Sequence, residues 1–237
     1  MIETIAFDAD DTLWHNEVLF SEAEQLFHEI LADYADAETV RGKMREIEHR
    51  NVRLFGYGVK GFTLSLVETA IELTDGRIDA AGIHRIIGIG KSMLSAPVLL
   101  IDGVRQTLDA LHGRYELLVI TKGDLKHQQE KLKASALGRY FSRVEILAEK
   151  DPESYQDIVI RHGITPERFM MIGNSVKSDV LPVLSIGGHA VHIPYHTLSY
   201  LEHVEETEIS TPRFHLLERI TDLPALLERL SEENGNP

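Results

Sequence analysis

Four polar clusters in this chain each follow an apolar run, and together they hold residue types suited to moving a phosphoryl group. Ile2 to Phe7 runs into Asp8-Ala9-Asp10-Asp11-Thr12. The run near 117–120 ends in Thr121-Lys122-Gly123-Asp124. A later one is followed by Glu149-Lys150-Asp151-Pro152, and Phe169 to Gly173 leads into Asn174-Ser175, with Ser178-Asp179 just beyond. Transfer of phosphorus to a carboxylate needs an aspartate that attacks in line with the leaving oxygen. It needs a hard cation between the two anions, and Mg²⁺ suits an all-oxygen site. A second carboxyl must protonate the leaving oxygen and later activate water. Fixed donors and a lysine must hold the remaining oxygens. The clusters contain a candidate for each part.

Positioning them requires a scaffold that delivers strand ends to one edge. Ile2 to Phe7, Tyr115 to Thr121, Val144 to Leu147, Phe169 to Gly173 and His189 to Ile193 read as strands. Between and before them, Gly103 to Leu111, Leu125 to Leu137, Glu153 to His162 and Val176 to Ser185 read as helices. Such alternation predicts a parallel sheet with helices on both faces, and ligands in such sheets bind at the carboxyl ends of the strands. Residues 17–95 differ in texture. Leu19, Phe20, Ala23, Leu26, Phe27, Ile30 and Leu31 recur at helical spacing. Ala37 to Leu54, Phe62 to Leu73 and Ile78 to Leu94 predict three more helices, with Gly56-Tyr57-Gly58 as a break. The expected division is a core of residues 1–16 and 96–237, interrupted by an all-helical block of residues 17–95.

Composition narrows the partners. The net charge of −14 argues against a nucleic-acid polymer, which needs a basic footprint. With no cysteine, thiolate catalysis, disulfides and cysteine–zinc sites are excluded. The opening residues lack a basic leader, and no stretch approaches the ~20 apolar residues of a membrane span. A cytoplasmic location is the expectation. Ser231 to Pro237 reads as a frayed polar tail.

The ordered set resembles the haloacid dehalogenase superfamily. Asp8-x-Asp10-x-Thr12 looks like its first motif, Thr121 its second, Lys150 before Asp151-Pro152 its third, and Gly173-Asn174-x4-Asp179 its fourth. The block between the first two motifs resembles the family's helical cap. The resemblance implies an α/β fold with a Rossmann-like parallel core and an inserted all-helical cap. It implies an Mg²⁺-dependent phosphomonoester hydrolase acting on a small phosphorylated metabolite through an aspartyl-phosphate. By the same resemblance Asp8 is nucleophile and metal ligand. Asp10 is the general acid/base, with its backbone carbonyl on the metal. Thr121 holds a phosphoryl oxygen, Lys150 neutralises charge, and Asp179 anchors the metal directly or through water. Backbone N–H groups around Ala9, Lys122 and Gly123 would add donors. Two departures stand out. Asn174 occupies a position where the family often has Asp, and it keeps an amide oxygen for the metal with one charge fewer. Lys122 stands where Asn is common, and either contacts phosphate or points to solvent.

Other readings stay open. A 2-haloacid dehalogenase uses the same fold but needs neither metal nor an acid at Asp10. A phosphomutase shares the aspartyl-phosphate, and a non-catalytic binding protein would keep only the fold. Substrate contacts in the helical block are expected from Lys60, Tyr57 and Arg53; the alternative is a plain helix connection. Asp11 is expected at the surface or capping a helix, and Trp14 between cap and core. Gly88-Ile-Gly90-Lys91-Ser92 lacks the glycine six residues before the lysine that a phosphate loop requires. His189, His192, His196 and His203 do not share a helical face and read as ordinary histidines. No feature of the sequence requires an oligomer.

Overall fold

The structure, a computed structural model, describes residues 1–197, 199–204 and 209–235. Its chain divides into two compact units: Met1–His15, Val98–Lys122 and Gln129–Pro237 in one, Asn16–Pro97 with Gly123–Gln128 in the other.

The first unit is built on a six-stranded, all-parallel sheet. Its strands are β1 (Thr4–Phe7), β2 (Glu116–Lys122), β3 (Arg143–Leu147), β4 (Phe169–Gly173), β5 (His189–His192) and β6 (Phe214–Leu216), in the order β3-β2-β1-β4-β5-β6. β1 is central, with Thr4 in register with both Glu116 and Phe169. Chain order reverses on either side of β1, which makes its carboxyl end the place where a crevice opens in such sheets.

Alternating side chains send two sets of apolar groups to opposite faces. Ile5, Phe7, Leu117, Val119, Met170 and Ile172 join Val104, Leu108 and Leu111 of α5 (Val104–Leu111). Leu223, Leu226 and Leu227 of α9 (Leu223–Gly235) close the same face. Ala6, Leu118, Ile120, Phe169 and Met171 meet Tyr155, Ile158 and Val159 of α7 (Pro152–His162) and Val183 of α8 (Leu181–Ser185). Full burial of a Phe or Ile side chain stabilises by roughly 1.5–3 kcal/mol, so the central strands are the most tightly held part of the unit. α6 (Leu125–Ser135) follows β2.

The helical unit comprises α1 (Glu17–Leu31), α2 (Ala37–Phe55), α3 (Val59–Leu73) and α4 (Ala80–Leu94). Asp36 and Asp79 cap α2 and α4 by accepting from the N–H groups of Thr39 and Gly82. The break between α2 and α3 depends on Gly56 and Gly58, whose φ values of 75° and 117° are costly for other residues. Phe27, Met44, Phe62, Leu66 and Ile86 form its core. Lys60 Nζ lies 2.8 Å from Asp124 Oδ2 within this unit.

Three expectations need correction. The polar tail is helical as far as Gly235, because Leu223, Leu226, Leu227 and Leu230 form an apolar stripe; Asn236 and Pro237 lie outside the described residues. The segment 176–185 is a wide turn (Val176–Val180) before a short helix, not one continuous helix. Pro182 explains this, since it has no N–H for the Ser178 carbonyl; the Tyr155 hydroxyl donates to that carbonyl instead, at 3.0 Å. β6 was not expected, being only three residues long and partly exposed. Among the described residues no helix is long and apolar enough to cross a membrane.

Candidate active site

Asp8 begins where β1 ends, and its N–H donates to the Ile172 carbonyl at 2.8 Å, extending the β1–β4 ladder by one step. The chain then turns sharply. Leu13 N–H donates to the Ala9 carbonyl at 2.8 Å, and Asp11 takes a φ of 62°. Aspartate tolerates this left-handed conformation better than most residues. Asp11 is buried, which corrects the surface placement expected for it.

Lys150 is held just before α7, whose start is fixed by a capping box between Asp151 and Ser154 and by Pro152 in the first turn. Its ammonium lies 2.5 Å from Asp8 Oδ1 and 2.7 Å from Asp179 Oδ1, and its side chain is only 2% exposed. Asp179 sits in the wide turn after β4, with Oδ2 accepting from the Ser175 N–H at 3.0 Å. Gly173 makes room for it: a Cβ there would stand 2.2 Å from the Asp179 carboxyl carbon. Asn174 enters through Thr12, whose hydroxyl is 3.2 Å from Asp8 Oδ2 and 3.5 Å from Asn174 Oδ1. His192 of β5 steadies the same turn by donating from Nε2 to the Asn174 carbonyl at 3.0 Å. Thr121, buried at the end of β2, places its hydroxyl 3.4 Å from the Lys122 carbonyl.

The charge balance at the centre is uneven. Asp8 and Asp179 are two buried carboxylates sharing one ammonium. Burial pushes the Asp8 carboxyl up to about 7 against the opposing pull of Lys150. Burial also works against the charge on Lys150, but Asp179 and Asp8 outweigh it and hold the ammonium well above its usual range. The cluster is one positive charge short. Oxygens of Asp8 and Asn174 meet at Thr12, with the Asp179 carboxylate and the Asp10 backbone in adjoining turns, and a hard divalent ion favours such oxygen donors. Among the described residues, no group of three or more acidic or histidine side chains is already gathered for a metal. The fit rests on these oxygen donors and the missing charge.

Asp10 has partners that the sequence did not reveal. Its Oδ1 accepts from Trp14 Nε1 at 2.6 Å and from Lys131 Nζ of α6 at 2.5 Å. Trp14 is thus a buried anchor for this carboxylate. Lys122 does not point to solvent, as one reading had it. Its ammonium lies 3.0 Å from Glu149 Oε1, 2.9 Å from Ser178 Oγ and 2.6 Å from Glu202 Oε1. Glu202, in a short turn after β5, also accepts from Ser175 and Ser178 through Oε2 at 2.6 and 2.5 Å. Burial alone would raise the Glu202 carboxyl; Lys122 and the two hydroxyls reverse this and bring it down to about 2. Glu202 gave no signal in the sequence, because no motif or periodicity surrounds it.

The remaining candidates lie in the helical unit. Arg53 is exposed near the end of α2, Tyr57 is half-buried in the glycine break, and Lys60 pairs with Asp124 as described. Gly123 directly follows Lys122, and its contacts group it with the same unit. Of the histidines, His189 stacks on His215 and His196 lies against Tyr195.

The model of the haloacid dehalogenase-like hydrolase family matches residues 2–187. The structure of a haloacid dehalogenase-like family hydrolase from Xanthomonas campestris is 41% identical, with a TM-score of 0.88, covering 99% of this chain and 94% of that one. The N-acylneuraminate-9-phosphatase of Mus musculus is 27% identical over 169 residues, 69% of this chain and 66% of the mouse protein. The glyceraldehyde 3-phosphate phosphatase of Pyrococcus furiosus is 28% identical over 142 residues, 57% of this chain and 56% of its own. The matches therefore span just under two thirds of the mouse protein and just over half of the archaeal one.

Proposed function

The chain belongs to the haloacid dehalogenase-like hydrolase family, and from that premise we propose that it is an Mg²⁺-dependent phosphomonoester hydrolase acting on a small phosphorylated metabolite. The observation that carries this reading is the pair of buried carboxylates, Asp8 and Asp179, drawn to one ammonium at the end of the central strand. A second carboxylate, Asp10, stands two residues away and is separately held.

In the proposed cycle an Asp8 oxygen forms a bond to phosphorus as the bond to the leaving oxygen breaks. Asp10 gives its proton to that oxygen, and the alcohol departs. Asp10 then takes a proton from water as the water oxygen attacks phosphorus. Inorganic phosphate leaves, and Asp8 is restored. Lys150 offsets the charge on Asp8, and the Thr121 hydroxyl holds a phosphoryl oxygen. Asp8, the Asp10 carbonyl, Asn174 and Asp179 would hold Mg²⁺, which when bound supplies the positive charge the cluster lacks. Residues 17–95 are the helical cap domain and residues 1–16 and 96–237 the core. Arg53, Tyr57, Lys60 and Gly123 are its substrate-facing candidates. A cysteine-free chain fits a cytoplasmic enzyme.

The test is phosphate release across a panel of phosphomonoesters, including an acylneuraminate 9-phosphate and glyceraldehyde 3-phosphate. Activity is expected with Mg²⁺, to fall by roughly 100-fold or more in chelator, and to return when Mg²⁺ is restored. No release from any ester, or release indifferent to chelator, would overturn the reading.

Lys131 supplies a second expected result. With Lys131→Met, Asp10 loses the ammonium 2.5 Å from its Oδ1, and kcat should drop about 10- to 100-fold with KM little changed. Lys131→Arg should recover part of the loss. An unaltered kcat in the methionine variant would remove Lys131 from the mechanism.

A further inference from the structure

The end of β2 carries Thr121 and Lys122, and the turns after β3 and β4 carry Lys150 and Asp179, yet no strand pairing reaches Lys150 or Asp179. Something beyond the sheet must hold them. The Lys122 ammonium has three N–H groups, and Glu149, Ser178 and Glu202 present three acceptors at 3.0, 2.9 and 2.6 Å. A phosphoryl contact would cost it one of these bonds. The acceptors belong to three different segments. Glu149 precedes Lys150, and its Oε1 also accepts the Lys150 N–H at 3.0 Å. Ser178 precedes Asp179. Glu202 lies in the turn after β5, which is further tied down by Lys177 Nζ donating to the Leu201 carbonyl at 2.7 Å.

From Glu202 a second route runs to the reacting centre. Ser175 donates its hydroxyl to Glu202 Oε2 at 2.6 Å, and its N–H donates to Asp179 Oδ2 at 3.0 Å. The Ser175 hydroxyl also accepts the Ser178 N–H at 3.1 Å, which tightens the turn. Both ends of the Lys150–Asp179 ion pair are therefore reached from one buried lysine–glutamate pair. Lys122 and Glu202 have side chains only 11% and 14% exposed, so neither is a solvated surface charge.

We propose that Lys122 and Glu202 are a matched pair of positioning residues that clamp the three turns in the arrangement phosphoryl transfer requires. Their described side-chain contacts are with each other and with Glu149, Ser175 and Ser178. Their effect passes through Glu149 to Lys150 and through Ser175 to Asp179. The lysine at this position thereby has a partner far along the chain, and neither residue should tolerate change alone. Removing Lys122 takes from the buried Glu202 its described counter-charge, and removing Glu202 takes from the buried Lys122 the nearer of its two described carboxylates. Removing both deletes the bridge but leaves no orphan.

The proposal rests on the phosphatase reading for its kinetic arm and on hydrogen exchange for an arm independent of it. Lys122→Met and Glu202→Gln should each lower kcat by about 10- to 100-fold with KM within about threefold. The double variant should lose less than the product of the two single losses, as coupled sites do. Native-state exchange should quicken about tenfold or more in peptides spanning 149–151 and 174–179, while β1 stays protected. Ser175→Ala and Ser178→Ala, which delete two hydrogen bonds each and orphan no charge, should give smaller changes of the same kind. They keep the test decisive if the charge variants fold poorly. If the wild type releases no phosphate, the phosphatase reading fails while exchange still decides the clamp. Unchanged exchange at these turns would overturn the proposal. So would faster exchange with undiminished kcat in an active enzyme.

Discussion

Asp8→Asn is expected to abolish turnover of an aryl phosphate, lowering kcat by more than about 10,000-fold, which is a barrier rise of roughly 5.5 kcal/mol. The amide is nearly isosteric and keeps an oxygen, so the fold and the Thr12 contact survive. What is lost is the proposed anionic nucleophile, and the neighbouring carboxylates are held by other partners. Asp10 is turned to Trp14 and Lys131, and Asp179 is occupied by Lys150 and the Ser175 N–H. The measurement is a quenched time course that also looks for phosphate bound to protein: present in the wild type, absent in the variant. Wild-type turnover in Asp8→Asn would remove the assignment entirely. Stability should move the other way. Burial raises the Asp8 carboxyl to about 7 in the folded chain, so between its ordinary value of 3.8 and about 7 the folded state binds more protons than the unfolded one. The metal-free wild type should therefore lose stability as pH rises through that window. The asparagine variant lacks this titration. Its Tm should stay flatter over the same range and exceed the wild type's at neutral pH.

Lys150→Met is expected to damage both activity and stability. It leaves two nearly inaccessible carboxylates, Asp8 and Asp179, without their common counter-charge; Asp179 is only 1% exposed. Breaking a buried pair by removing one partner typically costs about 3–5 kcal/mol. Urea denaturation at neutral pH should show a loss of that order. It should shrink as the pH is lowered and the carboxyls take up protons. Added Mg²⁺ should recover part of it, because a cation that binds only the folded state stabilises by mass action. Turnover should fall by about 1,000-fold, since the lysine also offsets charge in the transition state. A Lys150→Met protein with wild-type urea midpoint and wild-type kcat would show that the close contacts at this lysine carry neither role.

The scaffold was legible where burial writes a pattern. The runs 2–7, 115–121 and 169–173 are apolar because both faces of a parallel sheet are covered, and all three are strands within a residue or two of expectation. The four helices of 17–95 carry apolar stripes and two aspartate caps that sequence reading could recognise. The stripe of Leu223, Leu226, Leu227 and Leu230 was equally visible at helical spacing but went unread, and only the polar residues after it were assigned. The wide turn at 176–180 was hidden because it depends on Pro182 and on a hydroxyl from α7, two elements away. The clusters of the site were readable because each is local: a few residues after a strand. The partners that aim them were not. Lys131 reaches Asp10 across 121 positions and Glu202 reaches Lys122 across 80, and a single sequence carries no mark of such pairings.

The central position of β1 has a consequence for how the chain is made. On the ribosome this strand emerges before the other five, and its neighbour β2 follows only after the helices of residues 17–94, with Thr4 waiting for a partner 112 positions later. The helices in between contact chiefly one another and can close their own core around Phe27 and Leu66 while synthesis continues. The segment bearing Asp8 is thus translated well before the strands that shelter it. Until β2 and β4 arrive, its unpaired backbone and apolar side chains are open to wrong partners and to chaperones.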